Sequence, residues 1–285
     1  MKKKITFLMA ICCMFTMMTA CGKEKAIDYI TENDIENGVG SISDDELDAA
    51  VNDMVSSSTE QQDNSSSSAV DEEEIYEPAI EPLTMSDGTL IVNDGVLKKC
   101  SVDASGEIVV PEGVFSIADF AFEECTNITS VTLPYGLTKI GNSAFFGCIS
   151  LADITIPDSV TDINTAAFMN CTSLTSVIIP DSVIFLGDNA FARCDKLTSV
   201  TIGDGITSID IFTFSHCSSL TEINMGESIT NIENRAFFDC RSLMSIDIPD
   251  SVTECEDSFG GCDNLTEINY KGMTFNSVSD FYAFI

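Results

Sequence analysis

The hydrophobic positions of the chain repeat with a fixed period from about residue 102 onward. The clearest marker is a cysteine that returns every 23 residues and once after 22, at Cys125, Cys148, Cys171, Cys194, Cys217, Cys240 and Cys262. A phenylalanine keeps nearly the same spacing, at Phe122, Phe145, Phe168, Phe191, Phe214, Phe237 and Phe259. A fixed period in the twenties is typical of architectures in which each repeat forms one coil of a larger stack.

The first half of each repeat has the alternation of a β-strand. In the unit that begins at residue 171, Leu174, Val177 and Ile179 point inward, so that Ser176 and Ile178 face outward. The sequence therefore predicts one short, half-buried strand in every coil.

The second half of each repeat predicts a turn and a return. Pro180 lacks an N–H for a sheet ladder and ends the strand. Asp181 and Ser182 suit the turn, because their side chains hydrogen-bond to nearby backbone groups. The apolar residues that return along the other side and fill the coil are Val183, Leu186, Ala190 and Phe191.

One coil is too thin to bury its own apolar edge, so neighbouring coils must stack about 4.8 Å apart by parallel strand pairing. The predicted fold is a solenoid of the leucine-rich-repeat type. A parallel β-sheet forms its concave face, and short irregular or helical returns form its convex face.

The amino terminus predicts export. Residues 2–4 are lysines, and residues 5–18 form an almost wholly apolar segment of the length of a signal-peptide core. Residues 18–22, Met-Thr-Ala-Cys-Gly, resemble the bacterial lipoprotein cleavage box. This resemblance implies that Cys21 becomes a lipid-modified amino terminus that anchors the chain in a membrane. The alternative is an ordinary secretory signal followed by an incidental cysteine.

The segment after Cys21 is acidic and rich in serine. Residues 22–83 hold eighteen acidic residues against two lysines, a composition that favours an extended, disordered tether. Ser43 and Glu46 form a capping box before an apolar helical face made of Leu47, Ala50, Val51, Met54 and Val55. This segment is either a transient helix in the tether or a docking helix for a partner.

These patterns predict five segments. Residues 1–20 are a lipoprotein signal peptide, 21–83 the acidic tether, and 84–124 an N-terminal cap with the first coil. Residues 125–261 are repeats of about 23 residues, and 262–285 the last coil with a C-terminal cap.

Charge restricts the possible partners. The chain has 46 Asp and Glu against 13 Lys and Arg, for a net charge of −33. Nucleic acid is excluded as a partner, because its binding depends on Lys and Arg that neutralise phosphates. A membrane contact is expected only through the N-terminal lipid. An extracellular or host protein with a basic surface is the expected partner.

The repeat closely resembles the BspA-like leucine-rich-repeat family of bacterial surface proteins. The matching motifs are the Leu-x-x-Ile-x-Ile-Pro strand, the return Ile140-Gly-Asn-Ser-Ala144-Phe145 and the closing cysteine. The resemblance covers about two-thirds of the chain. It implies a solenoid at the cell exterior, with adhesion or host-protein binding in some members, and it supplies no catalytic residue.

No residue pattern predicts an enzyme, a metal site or a cofactor. The cysteines of the repeat column suit a small buried core side chain, and free thiols are favoured over disulfides. Cys100 lies outside the column and is open on this point. His216 occupies a variable turn position and is expected to be solvated, and the turn acids Asp158 and Asp181 suit turn formation rather than catalysis.

The outward strand positions are the candidate binding face. They are Ser130, Thr132, Asp153, Thr155, Ser176, Ile178, Ser199, Thr201, Glu222, Asn224, Ser245, Asp247, Glu267 and Asn269. The face is small, polar and increasingly acidic toward the C-terminus, and it lacks the aromatic residues that dominate binding hot spots. Either it is only a soluble sheet surface, or it makes a broad contact with a basic partner.

The favoured function is a cell-surface lipoprotein whose solenoid binds or adheres to protein partners. The alternative is a lipoprotein that binds glycans or the cell wall, which would require exposed aromatic residues to stack on sugars. A hydrolase would require a clustered nucleophile and base, and the sequence supplies neither.

Overall fold

The computed structural model describes residues 83–84, 89–255 and 257–285. These residues belong to one compact unit, Pro78–Ile285. The predicted signal peptide, Cys21, the candidate helix after Ser43 and almost all of the predicted tether lie outside the described residues.

Eight strands of two to six residues, one in each coil, carry the inward alternation that the sequence predicts, and we call them the long strands. They pair in parallel as β4-β6-β8, β10-β12-β14 and β16-β18. The register advances by one repeat, so that Val177 pairs with Val200 and Ile179 with Ile202. The strands are β4 (Ser105–Val109), β6 (Asn127–Thr132), β8 (Asp153–Ile154), β10 (Ser176–Ile179), β12 (Ser199–Ile202), β14 (Glu222–Asn224), β16 (Ser245–Ile248) and β18 (Glu267–Tyr270).

The returns are irregular except for a second parallel ladder of two-residue strands. These strands are β5 (Ser116–Ile117), β7 (Lys139–Ile140), β9 (Asp162–Ile163), β11 (Phe185–Leu186), β13 (Ser208–Ile209), β15 (Asn231–Ile232) and β17 (Glu254–Cys255). The described residues of the returns contain no α-helix. The predicted leucine-rich-repeat solenoid is thus confirmed, with short irregular returns rather than helical ones.

Extra strands close the first coil. β1 (Leu83–Thr84), β2 (Leu90–Asn93) and β3 (Val96–Cys100) pair antiparallel, and β3 then pairs in parallel with β5. The last coil is followed by β19 (Met273–Phe275), antiparallel to β18, and by the helix α1 (Val278–Phe284). Phe281 of this helix is buried and meets the ring of Phe259 edge-on at 6.5 Å.

The core is a set of apolar columns that run from coil to coil. Its centre is the phenylalanine column, in which consecutive rings from Phe122 to Phe259 stack nearly parallel. Ring centroids are 4.6 Å apart at Phe122–Phe145 and 5.6 Å apart at Phe237–Phe259. The rings are buried, so each coil shelters the aromatic face of the next.

Polar side chains in the turns also join neighbouring coils. The Asp181 carboxylate accepts a hydrogen bond from the backbone N–H of Asp204 at 3.0 Å, and Asp204 in turn accepts one from Glu227 at 2.8 Å. The Ser182 hydroxyl donates to the carbonyl of Val160 at 2.8 Å. The turn residues therefore satisfy backbone groups of adjacent coils as well as forming their own turns.

Candidate binding face

The structure places all fourteen predicted outward residues on one side of the solenoid. We call this side the long-strand face and define it by those fourteen positions. All of them are exposed or partly exposed, while their strand neighbours, such as Val177 and Val200, are buried. Strand alternation alone positions the face, which shows that these side chains are available for contact but not that they bind.

The acidic end of the long-strand face is held by side-chain amides. Asn224 donates from Nδ2 to Oε1 of Glu222 at 3.2 Å. Asn269 donates from Nδ2 to Oδ1 of Asp247 at 2.9 Å and to Oε1 of Glu267 at 3.3 Å. Because no Lys or Arg occupies the fourteen positions, these carboxylates present uncompensated negative charge to a partner.

Two exposed apolar residues next to this face were not in the predicted set. Val109 is 62% exposed in the first long strand, and Met244 is 63% exposed one residue before β16. Met244 falls in the column that leads into the strand, where most other coils hold a threonine, such as Thr198 and Thr221, and one holds Ala152. Met244 stands out when the residues at the same position of successive coils are compared.

The cysteines are structural in the described residues. All nine that the structure describes are buried and free. From Cys148 onward the column thiols donate to the carbonyl of a phenylalanine one coil earlier, as Cys148 does to Phe122 at 3.1 Å. Burial raises the pKa of the Cys217 thiol to about 12, which makes it a poor nucleophile and a poor metal ligand.

Cys100 lies outside the repeat column, beside its first member, Cys125. Its thiol and that of Cys125 both donate to the carbonyl of Ser101, at 3.6 and 3.5 Å. Both are buried and free. Within the part of the chain that the structure describes, no group of three or more His, Cys, Asp or Glu side chains could hold a metal ion.

His216 is partly buried rather than solvated. Its Nδ1 lies 3.1 Å from Oδ2 of Asp239, one coil further on. Its ring meets Phe238 edge-on at 5.4 Å. The expectation of a solvated side chain is wrong because the next coil covers this turn, and the contacts are those of a structural residue.

Carboxylates on the return side are crowded. Burial, followed by the negative charge of Asp210, raises the pKa of Asp188. Burial also raises the pKa of Asp210, and burial with the charge of Asp210 raises the pKa of Glu233. These three residues lie in consecutive coils. Loss of hydration on burial is the first cause at all three, and the negative charge of a neighbouring coil adds to it at Asp188 and Glu233.

Replacing one of these carboxylates should stabilise the fold at neutral pH. A carboxyl whose folded pKa lies above its unfolded value destabilises the fold above that folded pKa, and the loss disappears as the pH falls toward about 4. We expect Asp210→Asn to raise the free energy of unfolding at pH 7 by roughly 0.5 kcal/mol, and to reduce the gain in stability on acidification. Urea denaturation between pH 4 and pH 8 measures both effects.

Asp153→Asn is the control for this prediction, since it removes one exposed charge from the long-strand face. An Asp210→Asn variant with the stability and pH dependence of the wild-type chain would contradict the assignment of Asp210 to a crowded site.

The comparisons with known proteins agree with this architecture. The model of the BspA type leucine rich repeat region matches in six copies, over residues 90–210 and 184–284. No curated protein matches the chain.

Two solved bacterial leucine-rich-repeat structures match parts of the chain. A leucine-rich repeat protein from Eubacterium ventriosum is 22% identical with a TM-score of 0.56, over 68% of this chain and 53% of that protein. A leucine rich cell surface protein from Faecalibacterium prausnitzii is 30% identical with a TM-score of 0.43, over 62% of each chain. The chain thus spans between about half and two-thirds of the length of these two proteins.

In the described residues, no helix has the length and apolar character needed to cross a membrane.

Proposed function

Because the chain belongs to the BspA-type leucine-rich-repeat family, we propose that it is an exported binding module without catalytic function. Its partner is an extracellular or host protein with a basic surface, and its contact surface is the long-strand face. The acidic segment 21–83 carries the solenoid away from the membrane, to which a lipid on Cys21 attaches it.

The observation that supports binding is the separation between inner and outer columns. The inward columns keep the same few residue types in every coil, because they fill the core. The outward columns are mostly serine and threonine as far as Thr201, with Asp153 and Ile178 as exceptions, and three of the six outward residues after it are Glu222, Asp247 and Glu267. The stacking of coils does not require this acidic gradient, and complementary charge favours fast and selective association with a basic partner.

The support for export is in the amino-terminal sequence. Three lysines, an apolar core and small residues before Cys21 are what a lipoprotein signal requires. An acidic segment repels itself and stays extended, which suits a spacer between an anchor and a binding domain.

A charge-reversal experiment tests the binding surface. We expect the full chain to bind cationic extracellular matrix proteins on a biosensor surface, and Glu222→Lys with Asp247→Lys and Glu267→Lys to weaken that binding at least tenfold. The matched control makes the same change in net charge away from the outward strand positions, with Asp103→Lys, Asp195→Lys and Asp263→Lys.

Two outcomes contradict this function. Equal losses in both triple variants would show that only net charge matters. Binding to polysaccharides in the same panel, without binding to any protein, would favour the glycan alternative.

A further inference from the structure

Each outward position can be compared with the equivalent position in the neighbouring coils. In the coil of residues 171–193, three outward positions hold apolar residues where the adjacent coils hold polar ones. Ile178, Ile184 and Phe185 are 67%, 69% and 44% exposed. The coils before and after hold polar residues at the same three positions, namely Thr155, Thr161 and Asp162, and Thr201, Thr207 and Ser208.

Packing does not explain these apolar residues. At the position of Ile184, the first coil holds Phe115 and five other coils hold a threonine. Such a threonine can donate a hydrogen bond to the preceding coil, as the Thr161 hydroxyl does to the Thr138 carbonyl at 3.1 Å. Thr230 does the same to Thr207 at 3.2 Å. Isoleucine has no hydroxyl for this bond and leaves apolar area in water. The coil therefore carries side chains that are unfavourable for the isolated chain.

The three residues lie around one tight turn. The N–H of Val183 donates to the carbonyl of Pro180 at 3.1 Å and closes a four-residue turn. Ile178 precedes this turn, Ile184 and Phe185 follow it, and exposed Asp181 lies within it. We call the three apolar residues, Ile178, Ile184 and Phe185, the apolar edge.

The apolar edge lies in a row of acidic residues. The turns of neighbouring coils present Asp158, Asp204 and Glu227 at the position of Asp181, all of them exposed, with about 4.8 Å between coils. The backbone hydrogen bonds of Asp181 and Asp204 hold those carboxylates in place. An apolar centre beside fixed charges has the organisation of a protein-binding hot spot.

We propose that the apolar edge docks a basic segment of a partner protein. The segment places one or two apolar side chains on Ile178 and Ile184, and its Lys or Arg side chains pair with Asp158, Asp181 and Asp204. This inference rests on the proposed function, and it moves the strongest contact from the long-strand face to the turns of one coil.

Charge and side-chain type favour this occupant over others. A second copy would bring its own acidic row against this one, in a chain of net charge −33. An anionic membrane surface would be repelled for the same reason. Two of the three apolar side chains are aliphatic, whereas stacking on a sugar ring requires aromatic ones.

Substitution with the residues of the following coil tests the proposal. The triple variant Ile178→Thr, Ile184→Thr and Phe185→Ser gives this coil the same residue types as the next coil, which has Thr201, Thr207 and Ser208. We therefore expect the triple variant to fold, and a thermal unfolding curve checks this. The net charge does not change. Met244→Thr is the matched control, since Met244 is 63% exposed, lies outside the columns of Ile178, Ile184 and Phe185, and aligns with Thr198 and Thr221.

The probe is a synthetic peptide with Leu and Phe between Lys residues, measured on the full chain immobilised through an amino-terminal tag. A second peptide replaces Leu and Phe with Ser. We expect the apolar peptide to bind the wild-type chain, the serine peptide to bind at least tenfold more weakly, and the triple variant to lose at least tenfold in affinity for the apolar peptide. Met244→Thr should stay within twofold of the wild type.

Equal affinity of both peptides for the wild-type chain, or equal affinity of the wild type and the triple variant for the apolar peptide, would overturn the proposal. Self-association of the wild-type chain that the triple variant abolishes would assign the edge to a second copy and also overturn it. If only the apolar-edge proposal is wrong, the charge reversals at Glu222, Asp247 and Glu267 still weaken binding to cationic matrix proteins. If the proposed function is wrong, those charge reversals have no effect either.

Discussion

Phe191→Ala is expected to lower the free energy of unfolding by about 3–5 kcal/mol. The Phe191 ring is buried, with its centroid 5.0 Å from Phe168 and 5.6 Å from Phe214. Truncation removes apolar contact with both neighbouring coils and leaves a cavity in the column. Guanidinium denaturation followed by circular dichroism measures the loss.

The same coil contains the control. Phe185 lies six residues earlier and is exposed, so Phe185→Ala removes the same atoms without opening a cavity. We expect it to change the free energy of unfolding by about 0.5 kcal/mol or less. Similar losses in the two variants would contradict the separation of core columns from outward columns.

Deletion of residues 171–193 should leave a folded, shorter solenoid. The deletion removes one whole period and joins Asn170 to Cys194, so every column continues in register. In a stack of coils, the free energy of unfolding is approximately the sum of the stability of each coil and the interaction energies between neighbouring coils. At roughly 0.05–0.15 kcal/mol per residue, we expect a loss of about 1–3 kcal/mol with cooperative unfolding retained.

A deletion of about half a period is the control. Removing residues 182–193 joins Asp181 to Cys194, so that this coil loses its return and its phenylalanine. The variant should lose cooperative thermal unfolding. If both deletions were tolerated equally, the coils would not be stacked in the register described above.

The core columns could be predicted from the sequence because the same apolar residue types recur at the same position in repeat after repeat. Val177 and Ile179 alternate with Ser176 and Ile178 in the same way as the corresponding residues of other coils, and β10 has that alternation. Pro180 ends the strand where expected. One coil is ambiguous alone, but parallel stacking forces equivalent residues into contact.

Features that depend on the neighbouring coil were missed. The return strands, such as Phe185–Leu186, are two residues long and have no local pattern; they pair because the long strands set the register. The partial burial of His216 comes from Asp239 and Phe238 of the next coil. The apolar residue types of Ile184 and Phe185 do not by themselves show that these side chains are exposed. The apolar edge could be identified only by comparing side-chain exposure at equivalent positions of the coils.

The proposed function requires that the solenoid is displayed outside the cell. Protease treatment of intact cells, followed by mass spectrometry of the released peptides, tests it most directly. We predict that peptides from residues 84–285 are released while the cells stay intact, and that Cys21→Ser releases the solenoid into the medium without protease. Solenoid peptides that appear only after cell lysis would contradict display at the cell surface.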